Sequence, residues 1–148
     1  TAYVAPHLVD QTDPLAGVED VFNAITVKGD AIGDVMFYGR GAGKLPTASA
    51  VVADVIDAAK HIHTKKYLDW EQGGDDVCVS PDSLRSAWYV RANGTAEAAR
   101  AALGDVNLLA RRGGAAGEIA FLTGEMTRGE LEEKLAGMEL LSVMRVLD

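Results

Sequence analysis

Three glycines followed by a lysine and a proline stand out in the segment 38–54, YGRGAGKLPTASAVVAD. Gly43 and Lys44 match the end of a Walker phosphate loop, but Leu45 replaces the required Ser or Thr and Tyr38 replaces the first glycine. The dinucleotide fingerprint G-x-G-x-x-G also fails, because Lys44 occupies the position of its last glycine. The spacing therefore excludes both phosphate-binding motifs at this loop.

The same segment predicts a strand, a glycine turn and a helix. Glycines in such a turn permit positive φ and a close approach of the backbone to another body. The N-terminus of the following helix presents free N–H groups and a partial positive charge, which suit an anionic or carbonyl group. A tight turn with no ligand is the alternative that the spacing leaves open.

The other chemistry-bearing residues predict no catalytic or metal site. His61 and His63 are two residues apart and point to different faces of a helix, and neither has a cysteine or carboxylate at a ligand spacing. Cys78 lies in an acidic stretch, which disfavours its thiolate. Trp70 and Trp88 are interpreted as packing residues. We therefore expect surface histidines, an inert thiol and no metal.

Charge and composition narrow the class of protein. The 148 residues carry a formal net charge of −8, and no cluster of Lys and Arg exceeds two residues. Binding to nucleic acid or to an anionic membrane surface is excluded on this ground. The single cysteine and the lack of a long apolar run predict a reducing, cytoplasmic location. Because the chain starts at Thr1 inside a predicted strand, we expect the natural protein to begin further upstream.

The elements that must position the glycine turn occupy the first part of the chain. The pattern predicts a strand at Ala2–Val9, a short helix after Asp13-Pro14 reaching about 18–21, a hairpin of Phe22–Lys28 and Ala31–Tyr38, and a helix over 46–63. Apolar residues recur at spacings of three and four along this last helix, which is therefore expected to pack one face on its own sheet.

The remainder of the chain predicts a linker and a second domain. Residues 64–81 are polar and glycine-rich, which is typical of a loop. Beyond them the order βαββαβ indicates a ferredoxin-like plan, with the elements Leu84–Arg91, 96–103, Val106–Arg111, Glu118–Thr123, a helix opened by the capping box Thr127–Glu130, and Leu140–Leu147. The predicted class is α+β, with domains at 1–66 and 82–148 joined by a linker at 67–81.

Three stretches carry a resemblance to a known family, and the first is the opening PHLVDQTDPLAGVEDVFNA, residues 6–24. The run VFNAITVKGDAIGDVMFYGRGAGKLPTASAVVADVIDAA, residues 21–59, resembles the late part of the catalytic domain of homoserine dehydrogenase. The tail EIAFLTGEMTRGELEEKLAGMELLSVMRVLD is similar to the end of that enzyme's ACT regulatory domain. The resemblance implies the remnant of a mixed-sheet substrate and dimerisation domain at 1–66, followed by an ACT-like domain at 82–148.

The resemblance also implies a function. Homoserine dehydrogenases interconvert L-homoserine and L-aspartate 4-semialdehyde with NAD or NADP, in threonine and methionine biosynthesis, as dimers or higher oligomers. On that pattern Gly43 contacts the cofactor, with Gly41 and Thr47 beside it. The residues that hold homoserine and handle its proton lie before Thr1 in the family, so no catalytic residue is carried over and the chain alone is expected to be inactive.

An alternative function remains open for the second domain. The segment VRANGTAEAARAALGD is shorter than the family's ligand loop, and Gly94 is its one plausible match. The domain is therefore either a threonine sensor or a vestigial packing domain. A stand-alone ACT-type module that binds an amino acid is the alternative to an enzyme segment.

Overall fold

The computed structural model describes residues 1–64, 71–74, 77–110 and 112–147. Of the predicted linker, residues 67–70, 75 and 76 lie outside these ranges, and Trp70 is among them. The chain forms two compact units, one of residues 1–10 with 73–148 and one of residues 11–72. The domain boundaries predicted from the family resemblance instead group the first ten residues with residues 11–66. Those boundaries stay a prediction.

The described residues contain seven strands, three α-helices and two short 3₁₀ helices. The strands are β1 (His7–Leu8), β2 (Phe22–Gly29), β3 (Gly33–Arg40), β4 (Trp88–Asn93), β5 (Asn107–Leu108), β6 (Glu118–Leu122) and β7 (Glu139–Val146). The α-helices are α1 (Lys44–Lys60), α2 (Ala96–Leu103) and α3 (Arg128–Lys134), and the 3₁₀ helices are Pro14–Gly17 and Pro81–Ser83. The predicted α+β class is confirmed.

The unit of residues 1–10 and 73–148 is built on a five-stranded sheet. Its strand order is β1-β7-β4-β6-β5, with β1 parallel to β7 and the other neighbours antiparallel. The elements from β4 to β7 follow the order βαββαβ, as the sequence predicted. The added parallel strand β1 comes from the start of the chain, which ties residues 1–10 to this sheet.

The core of this unit lies between one face of the sheet and its helices. Every second side chain of a strand points to the same face of the sheet. On β4 these side chains are Trp88, Val90 and Ala92, and all three are buried. They pack with Phe121 from β6, with Ala99 of α2, with Leu131 of α3 and with Leu135, which caps the end of α3. Both helices begin where the sequence places their caps, with Thr95 accepting from Ala98 N–H and Thr127 forming a complete capping box with Glu130.

The unit of residues 11–72 contains the antiparallel hairpin of β2 and β3 and the helix α1. The hairpin register pairs Phe22 with Arg40 and Gly29 with Gly33. Its two strands match the prediction within two residues. Helix α1 has no buried residue, so the expectation that it packs one face on its own sheet is wrong. Its apolar side chains, including Val51, Val52, Val55 and Ile56, are exposed.

Several other predicted elements are shorter than the sequence suggested. The predicted strand at Ala2–Val9 is paired only over His7–Leu8, since Pro6 has no N–H for the ladder. The helix after Pro14 is a single 3₁₀ turn that ends at Gly17. The strand expected at Leu84 begins at Trp88, and the strand expected over Val106–Arg111 covers Asn107–Leu108. Among the described residues, no helix is long and apolar enough to cross a bilayer.

Candidate functional site

The glycine loop joins β3 to α1 within the unit of residues 11–72. Strand β3 ends at Arg40 and α1 begins at Lys44, so the loop consists of residues 41–43. The hairpin fixes its entry through the ladder with β2, and the first turn of α1 fixes its exit. The predicted strand, glycine turn and helix are confirmed.

Gly43 occupies a backbone conformation that other residues rarely adopt. It is the N-cap of α1, with φ 125° and ψ 154°. A Cβ added there would meet Pro46 Cδ at 3.5 Å, which is ordinary van der Waals contact. Backbone strain, rather than lack of space, therefore requires glycine at this position.

Gly41 differs from Gly43, because what a side chain would meet there is a neighbouring side chain. A Cβ added there would lie 1.7 Å from Nδ2 and 2.9 Å from Cγ of Asn23, which stands on β2. Nothing lies within 4 Å of a Cβ added at Gly39, the preceding glycine. The exposed side chain of Asn23 therefore lies against Gly41, a contact that no sequence pattern of the hairpin revealed.

The start of α1 leaves backbone donors uncapped. Gly43 offers no side-chain cap, and Pro46 carries no N–H. The first intrahelical bond runs from Thr47 N–H to the Gly43 carbonyl oxygen at 3.1 Å. The N–H groups of the preceding turn and the partial charge of the helix end can bind a carbonyl oxygen or an anion. Gly41, Gly43 and Thr47 thus stand together around one helix start, and their predicted contact with a cofactor stays a prediction.

Aromatic side chains beside the loop form a flat surface that the sequence analysis did not identify. The rings of Phe22 and Tyr38 stack with centroids 5.0 Å apart and planes 6° apart. The guanidinium of Arg40 lies 5.2 Å from the Phe22 ring centroid. Phe22 and Tyr38 are diagonal neighbours across the register, since Tyr38 is paired with Ala24. The stacking could have been foreseen only from the pairing of the two strands.

The remaining candidates behave largely as predicted. His61 and Cys78 are exposed, and Trp88 is buried in the core. Asp57 lies 3.0 Å from His61 Nδ1, which corrects the expectation that neither histidine has a carboxylate at a useful spacing. One such pair is too few ligands for a metal, and no group of three or more His, Cys, Asp or Glu that could hold one occurs among the described residues.

The resolved pKa shifts also mark structural contacts. The backbone N–H of Thr127 and then the Arg85 guanidinium hold the pKa of Glu130 below its ordinary value of 4.5. Its own backbone N–H and the hydroxyl of Thr95 lower the pKa of Glu97. Both carboxylates stand in the first turns of capped helices, so these shifts belong to helix capping and indicate no acid or base catalyst.

Comparison with known proteins gives consistent matches. Residues 1–56 match the family model described as homoserine dehydrogenase. The chain is 39% identical over 95 residues to the homoserine dehydrogenase of Neisseria gonorrhoeae. The aligned region is 60% of this chain and 22% of that protein. It is 59% identical over 54 residues to the enzyme of Synechocystis sp., covering 36% of this chain and 12% of that protein.

Solved structures extend the similarity along the chain. The crystal structure of a homoserine dehydrogenase from Thiobacillus denitrificans superposes with a TM-score of 0.77 and 26% identity over 97% of this chain and 38% of that chain. A homoserine dehydrogenase of S. aureus gives a TM-score of 0.66 and 31% identity over 97% of this chain and 37% of that chain. The chain therefore spans well under half the length of these relatives, and the resemblance seen in the sequence is confirmed.

Proposed function

We propose, from the confirmed relationship to a C-terminal part of homoserine dehydrogenase, that this chain is a segment of an NAD(P)-dependent enzyme of that kind. The enzyme would interconvert L-homoserine and L-aspartate 4-semialdehyde in threonine and methionine biosynthesis. The observation that carries the proposal is the family match over residues 1–56, which includes the glycine loop and Gly43 with its positive φ. Cytoplasmic location and assembly into dimers or higher oligomers belong to the same proposal.

In this function the loop would serve as a cofactor contact supplied to another domain. NAD(P) would provide the hydride acceptor, and this chain would provide backbone surface and N–H donors against it. The residues fit that task, because Gly41 and Gly43 expose main chain without side chains and Gly43 leaves the helix start uncapped. Thr47 stands in the first turn of the helix and is exposed.

The proposal is tested most directly in a chimeric enzyme. Residues 1–148 would replace the superposable region of the Thiobacillus denitrificans enzyme, and homoserine-dependent reduction of NAD or NADP would be followed by absorbance. We expect activity in the chimera. We expect Gly43→Ala to raise the KM for the cofactor about tenfold, since a side chain disfavours the φ of 125°. Gly39→Ala is the matched control, because its added Cβ meets nothing within 4 Å.

A rescue experiment separates loop geometry from general damage. Gly41→Ala forces the exposed Asn23 side chain to move, and Asn23→Ala in the same chain should reverse any loss of activity that this movement causes. If Gly43→Ala and Gly39→Ala give the same KM, the cofactor role of the loop is wrong. An inactive chimera that is correctly folded would contradict the enzyme proposal itself.

The isolated 148-residue chain gives a second, simpler test. It carries none of the residues that the resemblance assigns to homoserine binding and proton transfer. We therefore expect no turnover of homoserine with either NAD or NADP. Measurable oxidation of homoserine by the pure chain would contradict this expectation.

A second candidate function is an ACT-type regulatory module in residues 82–148. The observation that favours it is the βαββαβ order with strands β7-β4-β6-β5 in the sheet. Gly94 directly follows β4 with a φ of 154°, at the one position that resembles the family's ligand turn. Threonine is the proposed effector. A saturable rise in Tm with threonine would support the module, and unchanged melting with threonine and other amino acids would count against it.

A further inference from the structure

A cavity of 230 Å³ lies within the unit of residues 1–10 and 73–148, between the start of the chain and the sheet. Residues 3–6 form one wall, and Pro81, Asp82, Trp88, Arg128 and residues 143–145 of β7 form the others. The first wall is held in place by the parallel pairing of His7 with Arg145 and by a hydrogen bond from the Thr1 hydroxyl to the Val79 carbonyl. The cavity therefore has a built frame on both sides.

The chemical centre of the cavity is a buried cation. Arg145 is only 7% exposed, and its guanidinium donates to Ser86 Oγ at 2.7 Å, to the Pro81 carbonyl at 2.8 Å and to the Leu84 carbonyl at 3.3 Å. These acceptors are neutral, and within the described parts of the chain Arg145 forms no ion pair. The guanidinium also carries more N–H donors than these acceptors occupy. A buried cation without an anion is a costly arrangement that a carboxylate would relieve.

Aromatic rings hold this cation in position. The Arg145 guanidinium lies 4.5 Å from the Trp88 ring centroid and 5.4 Å from that of Tyr3. Both distances are within the range of cation–π attraction. The group is therefore fixed before any ligand arrives, which lowers the entropy cost of binding a carboxylate.

The other charged groups of the cavity decide which carboxylate fits. Arg128 also lines it, 6.0 Å from the Trp88 centroid, but pairs with Glu132 at 2.7 Å. Asp82 lines it as well and is exposed. An opposing carboxylate, together with the net charge of −8, disfavours a phosphate or any polyanion. A small ligand with both a carboxylate and an ammonium group matches this lining, and Pro6 and Val143 offer it an apolar wall.

We propose that this cavity binds a free α-amino acid, with its carboxylate on Arg145 and Arg128, its ammonium group toward Asp82 and its side chain against the apolar wall. Such a ligand would clamp residues 3–6, which belong to the family-matched part of the chain, onto β7. The proposal names a site for the second candidate function and rests on it, but it is independent of the dehydrogenase reaction.

Calorimetric titration of the 148-residue chain with three matched compounds tests the ligand class. L-Valine carries both charged groups, isovalerate lacks the ammonium group, and isobutylamine lacks the carboxylate. We expect saturable binding of valine, binding of isovalerate weaker by about tenfold, and no binding of isobutylamine. L-Threonine forms a fourth arm that examines side-chain preference. Equal binding of valine and isovalerate, or no binding of any amino acid at millimolar concentration, would overturn the proposal.

Variants then test the location. Arg145→Gln should weaken valine binding at least about tenfold, and Asp82→Asn should weaken valine while sparing isovalerate. Arg100→Gln, an equal charge change on exposed α2 outside the cavity, is the matched control. If circular dichroism shows that Arg145→Gln is unfolded, the exposed Arg128→Gln and Asp82→Asn decide. Valine binding that survives in these variants would place the amino-acid site elsewhere and leave the module itself supported.

Discussion

The two units of the chain differ in how they use similar apolar residues. In the sheet unit, Trp88, Phe121, Leu131 and Leu135 are at most 2% exposed and form one core. In the unit of residues 11–72, α1 has no buried residue, and Val52 and Val55 are 56% and 62% exposed. A regular apolar spacing therefore predicts a helix in both units, but it does not say what covers the helix. The sheet unit is thus stabilised by its own core, whereas the apolar side chains of α1 stay exposed.

The largest expected effect contrasts a core side chain with an exposed one. Leu131→Ala removes a fully buried side chain and should lower the free energy of unfolding by about 2–5 kcal/mol. Val52→Ala, on α1, should change it by less than about 0.5 kcal/mol. Urea unfolding followed by circular dichroism, at a dilution where the chain is monomeric, measures both. Equal losses in the two variants would mean that α1 has a core of its own.

Self-association is the second way to examine the contrast. Large apolar side chains are exposed on both the hairpin and the helix of residues 11–72, among them Ile25, Phe37 and Val55. Many exposed apolar side chains in one unit favour association, so we expect the isolated chain to associate with itself. Val55→Asn should weaken this association about tenfold, since it places a polar group in the contact.

Asp54→Asn is the matched control for this measurement, since it introduces the same amide one position away on the same helix. We expect light scattering to give the unmodified chain and Asp54→Asn the same concentration dependence. A wild-type chain that stays monomeric at high concentration would break the comparison between the two units.

The smallest expected effect concerns the capping box of α3, a feature that α1 lacks because it has no side-chain cap. The pKa of Glu130 is lower in the folded chain than its ordinary value of 4.5. The ionised carboxylate therefore stabilises the folded chain above pH 4.5. This stabilisation is lost as the pH falls through the lower pKa of the folded chain. Glu130→Gln keeps a capping-box partner but no longer titrates. We expect this variant to lose less stability below pH 4.5 than the unmodified chain does.

Urea unfolding at neutral and acidic pH checks this prediction. Glu133→Gln is the control, because it removes an exposed carboxylate of the same helix outside the capping box. An acid loss in Glu130→Gln as large as that of the unmodified chain would show that the capping box does not contribute to the pH dependence.

Local signals in the sequence determined the elements that depend on neighbouring residues. Thr95 and Thr127 cap helices at the predicted positions because their hydroxyls bind N–H groups only three residues ahead. The hairpin and the glycine loop were also foreseen, since alternation and glycine turns are local patterns. The sequence did not predict where the strand at Val106–Arg111 ends, because the length of a strand depends on which residues of another strand lie opposite it.

The sequence by itself thus determined the α+β class, the βαββαβ order, the loop that carries Gly41 and Gly43, and the family resemblance. Only the tertiary structure decided that residues 1–10 join the distant strand β7, that Asn23 lies against Gly41, and that Arg145 is buried between Trp88 and Tyr3. These contacts join residues far apart along the chain. Their formation depends on burial and packing of the whole unit, which no local pattern of residue types encodes.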